Sequence, residues 1–207
     1  MIRGAKTFSL AVAAGLFISI GGTVYLSCAD KVIGAVMFSV GLISICYLGL
    51  ALYTGKIGFM FYNHKGGDFI DIAATLLGNA FGTFLFGFLC GESNQKLIAV
   101  AKALCDGKVE KSLWAVFVSA IFCGVLMFTA VRIYRDGKNP IGILFCVPVF
   151  ILCGFEHSIA DMYYFAAARY ISFEVLLFLL VVVLGNTVGG LLVPLLIKLG
   201  IPQEKKA

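Results

Sequence analysis

Charge is what this sequence has least of. Asp, Glu, Lys and Arg make up 13% of its 207 residues, about half the roughly 25% usual for a soluble domain. The net charge of +5 is scattered over the segments between apolar runs, so no basic face exists for nucleic acid. Histidine occurs twice, and no C-x-x-C pair accompanies the seven cysteines; neither a metal site nor a cofactor is expected. Proline occurs only four times, leaving long runs unbroken.

Apolar residues fill the space. They reach 61%, with 19 phenylalanines, and mean hydropathy is +1.02. A soluble chain of this size cannot hide that surface, so lipid must be its solvent. A soluble enzyme and a disordered chain are excluded. Cys28, Cys46, Cys90, Cys123, Cys146 and Cys153 lie in or at the ends of apolar runs and read as small hydrophobes.

Six charge-free runs cover 7–29, 32–55, 72–91, 112–131, 139–155 and 175–197. At 1.5 Å per residue, about 20 residues cross a ~30 Å hydrocarbon core. Five runs suffice; the fifth, at 17 residues, falls short. The first follows Arg3 and Lys6 without an A-x-A pattern behind it, so it reads as a retained span rather than a signal peptide. With the N-terminus inside, the inner segments hold ten of the 16 Lys and Arg and the outer ones six. That predicts a multi-pass protein of the cytoplasmic membrane with both termini in the cytoplasm. The lysine-rich external loop before span four is the exception.

A motif recurs. L-G-N-A-F-G at 77–82 and L-G-N-T-V-G at 184–189 each put two glycines four apart on one helix face, where backbones approach closely and the asparagine can bond across the contact. Each half holds three spans, an odd number, so the halves, about 7–91 and 112–198, must be oppositely oriented within a single domain, 1–207. The second and fifth spans are interrupted alike. One runs into Tyr53, Thr54, Gly55 and Lys56 and then the uncharged stub 57–63; the other runs into the polar stretch 156–161 and then 162–168. Matched breaks point to a substrate path between Thr54 and His157. The fold class is an all-α polytopic membrane protein of six transmembrane helices, an inverted three-plus-three repeat.

His157 is the sharpest signal, because an ionisable group at membrane depth is costly and usually functional. A neutral imidazole there would pass or donate a proton, with Thr54 as its hydroxyl partner. The bland alternatives are a core histidine at a helix break and a threonine cap. Glu156 and Asp161 would support the broken helix, Glu156 by accepting freed backbone N–H groups. Phe38, Leu42, Leu52, Tyr53 and Phe150 lie on the interrupted spans and would narrow a pore; ordinary packing is the alternative for each. Lys108 would draw anions to an outer vestibule or stand as a solvated loop lysine.

The stretch G-F-E-H-S-I-A-D-M at 154–162, with L-Y-T-G at 52–55 upstream and L-G-N-T-V-G-G at 184–190 downstream, resembles the formate/nitrite transporter family. The resemblance runs through all six spans. It implies a homopentamer of aquaporin-like protomers, each passing small monovalent anions such as formate, nitrite or hydrosulfide, with no enzymatic activity. His157 then resembles the family's central pore histidine, Thr54 its second-span threonine, Phe38 and Phe150 the outer constriction, and Leu42, Leu52 and Tyr53 the inner one. Lys108 matches the lysine before span four, and Asn186 a vestibule asparagine. The expected partners are the anion, protons and membrane lipid; the alternative is an aquaporin-type pore for neutral solutes. The chain departs from the family at Ala51, at Gly124 where a span-four asparagine is common, and at Asp161 where asparagine is frequent. With about six residues before span one, no amphipathic N-terminal helix is expected.

Overall fold

A computed structural model describes residues 3–61 and 65–200. His64, the end of the stub 57–63, Lys205 and Lys206 lie outside the described residues. The regular elements among the described residues are all helical: α1 (Arg3–Ser27), α2 (Lys31–Tyr47), α3 (Tyr53–Lys56) running into a 3₁₀ turn (Ile57–Phe61), α4 (Gly66–Ser93), α5 (Gln95–Val109), α6 (Leu113–Gly137), α7 (Ile141–Leu152), α8 (Ser158–Ala167) and α9 (Phe173–Gly200).

Among the described residues, α1, α4, α6 and α9 are long and apolar enough to cross a membrane, whereas α2 and α7, at 17 and 12 residues, are shorter. The two short helices belong to the interrupted segments. The breaks, however, fall earlier than the polar residues predict. In the first half the chain leaves the helix at 48–52, the wholly apolar L-G-L-A-L, while Tyr53–Lys56 already forms α3. In the second half the break covers 153–157, and Ser158 opens α8. A left-handed glycine sits in each, Gly49 at φ 67° and Gly154 at φ 65°. Glycine adopts this conformation without the steric cost a Cβ imposes.

The L-G-N-x-x-G glycines seat the long helices. A Cβ on Gly78 would lie 2.7 Å from the Phe8 carbonyl and one on Gly82 2.5 Å from that of Val12, both on α1. On α9, Gly185 meets the Phe117 carbonyl in the same way at 2.7 Å and Gly189 meets that of Ile121, both on α6. The pairs α1–α4 and α6–α9 therefore pack backbone against backbone. The short helices then cross over: α8 packs on α4 and α1, while α3 and its 3₁₀ turn pack on α6 and α9. All ten residues of α8 are buried.

The lysine-rich segment before α6 is a helix rather than a loop. Leu97, Ala101 and Cys105 recur every four residues and form the buried face of α5. Asn94 caps it by accepting the Lys96 N–H at 3.1 Å.

Candidate functional site

Both breaks are held by the motif asparagines, in matching fashion. Asn79 Oδ1 accepts the Tyr53 N–H, and its Nδ2 donates to the carbonyls of Ala11 and Ala51, each at 2.8 Å. Asn186 Oδ1 accepts the Ser158 N–H, and its Nδ2 donates to the carbonyls of Ala120 and Glu156, again at 2.8 Å. A single amide thus meets the first N–H of the short helix, a carbonyl of the broken loop, and the long helix behind. These are the groups that water cannot reach at membrane depth.

Fixed in this way, the breaks bring Thr54 and His157 together, 1% exposed each, with Oγ1 and Nε2 2.8 Å apart. His157 also caps α8: its Nδ1 accepts the Ala160 N–H at 3.1 Å. A nitrogen that accepts an N–H carries a lone pair, so the ring is neutral, with its proton on Nε2 directed at Thr54. Phe150 stacks on the imidazole with centroids 5.4 Å apart. Phe38 meets Phe150 edge-on at 6.1 Å.

Two cavities approach this cluster from opposite ends. The first, about 310 Å³, is lined by Lys108, Lys111, Tyr164, Phe150, His157 and Asp161. The second, about 340 Å³, is lined by Leu42, Leu52, Gly55, Lys56, Arg135 and Lys138. Phe38, Leu42, Leu52 and Phe150 are buried between them.

Lys108 is neither solvated nor free. It forms ion pairs with Glu156 and, at 2.8 Å, with Asp161, and Lys111 reaches Glu156 at 2.7 Å. Burial works against the Lys108 ammonium, but the Asp161 and Glu156 carboxylates outweigh it and hold its pKa above the ordinary lysine value. Glu156 spends its carboxylate on these lysines. The freed backbone is served elsewhere, the Ser158 N–H by Asn186 and the Glu156 N–H by Ser119 Oγ at 3.1 Å.

Of the predicted residues, Phe38, Tyr53, Thr54, Glu156 and Asn186 are not in the walls of these two cavities; Asn186 is fully buried at the second break, and the Tyr53 hydroxyl turns to Thr187 Oγ1 at 2.7 Å. Gly124 faces α9, where a Cβ would strike the Asn186 carbonyl and lie 2.9 Å from the Gly190 nitrogen. An asparagine there has no room. The motif announced a bond from Asn79 across the helix contact but not its hold on the break at Ala51 and Tyr53; Lys111 and Ser119 carried no signal.

Together these features define a helical membrane protein whose two interrupted segments meet at a buried polar pair between opposed cavities. Comparison with known proteins agrees. The family description "formate/nitrite transporter" matches residues 2–199, and the chain belongs to that family. The uncharacterized transporter YrhG of Bacillus subtilis (strain 168) is 30% identical over 185 residues, covering 78% of this chain and 68% of YrhG. The formate channel FocA of Escherichia coli (strain K12) is 26% identical over 186 residues, covering 76% of this chain and 64% of FocA. The chain thus spans about two thirds of the length of these relatives. Among solved structures, an FNT family ion channel shares the fold with a TM-score of 0.88 at 21% identity, over 97% of this chain and 92% of that one. A pentameric formate channel with formate bound gives 0.79 at 22%, over 95% and 96%.

Proposed function

We propose that the chain is a pore for small monovalent weak-acid anions, formate or nitrite foremost and hydrosulfide among them, across the cytoplasmic membrane. In this reading both termini are cytoplasmic, and the six spans form an aquaporin-like inverted repeat in which each interrupted segment makes one crossing. Five copies assemble, as in the pentameric formate channel of similar fold. One observation carries the proposal: two cavities end on opposite sides of a thin apolar partition of Phe38, Leu42 and Phe150, with Thr54 and His157 as its polar centre. Lys56, Arg135 and Lys138 line the second cavity without an acidic neighbour in its wall, which favours anions over cations there.

A bare charge pays heavily for entering such a partition. The anion crosses as its neutral acid, gaining a proton at the level of His157. Formate uptake into proteoliposomes is then faster at acidic external pH, and His157→Phe removes the polar N–H donor at the centre. The expected result is loss of most uptake in the variant, with loss of its acid acceleration. A His157→Phe protein that retains both flux and pH response contradicts the mechanism.

A further inference from the structure

The second cavity gathers cations that have no carboxylate of their own. Lys56 of α3, Arg135 near the end of α6 and Lys138 just after it all enter its wall, and no acidic side chain does. The Arg135 guanidinium stands 4.1 Å from the centre of the Phe59 ring, and the Lys138 ammonium 5.2 Å from that of Tyr134. Ring faces position a cation without using its N–H groups as hydrogen-bond donors to oxygen. Among the described residues none of the three forms an ion pair or donates a side-chain hydrogen bond. Their donors are free.

The acids around them are already taken. Asp136 is paired with Arg132 at 2.6 Å. Asp68 and Asp71 share a third cavity, about 250 Å³, with Lys56 and Arg135, but Arg3 holds both of them, at 2.5 and 2.6 Å. Among these eight groups five cations stand against three carboxylates, which leaves two positive charges over. That is more than a permeant needs. An anion in transit must bind weakly enough to leave again, and a monovalent one would match only half of the surplus. A dianion matches all of it. The planar fork of an arginine meets two phosphate oxygens at once, and lysines serve the remaining oxygens as point charges. A dianion is also stopped here. The cost of leaving water rises with the square of the charge, and the cavity wall includes the apolar Leu42 and Leu52.

We infer that the second cavity is a binding site for a doubly charged phosphate group, which enters from the cytoplasmic side and plugs the pore. Lys56, Arg135 and Lys138 hold it, and the passage of small anions slows when it is bound. Inorganic phosphate and the phosphomonoester headgroup of phosphatidic acid share this chemistry, and the experiment tells them apart.

The plug rests on the anion-pore reading, whereas the binding site does not. Formate flux by the full chain is measured in phosphatidylcholine vesicles at pH 7.5, where phosphate carries close to two charges. Phosphate is supplied on both faces, so that either orientation of the protein is reached, and is compared with chloride at equal ionic strength. Phosphate should slow the wild type severalfold and saturably. In Lys56→Gln and Arg135→Gln, each compared with its own flux in chloride, the half-blocking concentration should rise about tenfold, the worth of one charge-assisted contact. Equal wild-type flux in the two salts, or an unchanged half-blocking concentration in both variants, overturns the plug. Slow flux that added phosphate no longer alters, in vesicles containing phosphatidic acid, identifies the lipid headgroup as occupant; an undiminished phosphate block there identifies free phosphate. Binding is read independently by melting of the detergent-solubilised protein. Phosphate should raise the wild-type melting temperature above its value in chloride, and Lys56→Gln should lack that extra shift. No shift in the wild type, or an equal one in Lys56→Gln, overturns the site. A wild-type shift without formate flux in either salt keeps the site and overturns the pore reading instead.

Discussion

Asn186→Leu is expected to abolish a stable fold. The two side chains are similar in size, so packing changes little and the effect isolates hydrogen bonding. The Ala120 carbonyl lies within α6 and keeps its helical partner. The Ser158 N–H and the Glu156 carbonyl belong to the break, however, and Asn186 is the partner recorded for each. Leaving a buried polar group unsatisfied costs about 1–3 kcal/mol, so two together cost roughly 2–6 kcal/mol, comparable with the whole stability of many proteins, about 5–15 kcal/mol. Asn79→Leu should match it, because the Tyr53 N–H and the Ala51 carbonyl are orphaned in the same way. The check is the monodisperse size-exclusion peak in mild detergent together with the melting temperature. Both variants lose the peak or melt far below the wild type. A shift of only a degree or two would show that the breaks are held by something other than the asparagines.

The second large effect is at Lys108. Lys108→Met leaves Asp161 without its recorded ion-pair partner, while Glu156 retains Lys111. Removing one member of a buried ion pair costs about 3–5 kcal/mol, because the other charge is left uncompensated. Most of that loss is expected to return in the double variant Lys108→Met with Asp161→Asn, where no stranded charge remains. A double variant no more stable than Lys108→Met would place the cost in lost packing instead. The raised Lys108 pKa sets the pH window. Its stabilisation is fully present below the ordinary lysine value and fades only as pH climbs through the elevated one. Wild-type melting is therefore insensitive to this group at neutral pH.

Much of this architecture could be read from the chain. The apolar runs locate the four long helices, and the two L-G-N-x-x-G motifs mark the faces on which α4 and α9 receive α1 and α6. What misled was polarity. The stretch Tyr53–Lys56 reads as a break but begins a helix, whose first N–H, that of Tyr53, is met from α4 by Asn79, 26 positions away. The true break, L-G-L-A-L, has no polar residue, and Gly49 is its only local sign. Lys108 failed for a related reason: its partners lie 48 and 53 positions on, at Glu156 and Asp161. Charge pairing across that distance is a property of the packed fold and leaves no periodicity in the sequence. The meeting of Thr54 and His157 was legible because matching breaks in two similar halves define a common centre.

Passage of small anions through this centre is tested most directly by flux through the purified chain in proteoliposomes, with formate, nitrite, hydrosulfide, acetate, potassium and glycerol presented separately. Formate, nitrite or hydrosulfide should enter while potassium and glycerol stay out, since the apolar partition excludes hydrated cations and the basic second cavity favours anions. Glycerol entering without any anion flux would contradict the account, and the likeness to formate channels would then describe the fold alone.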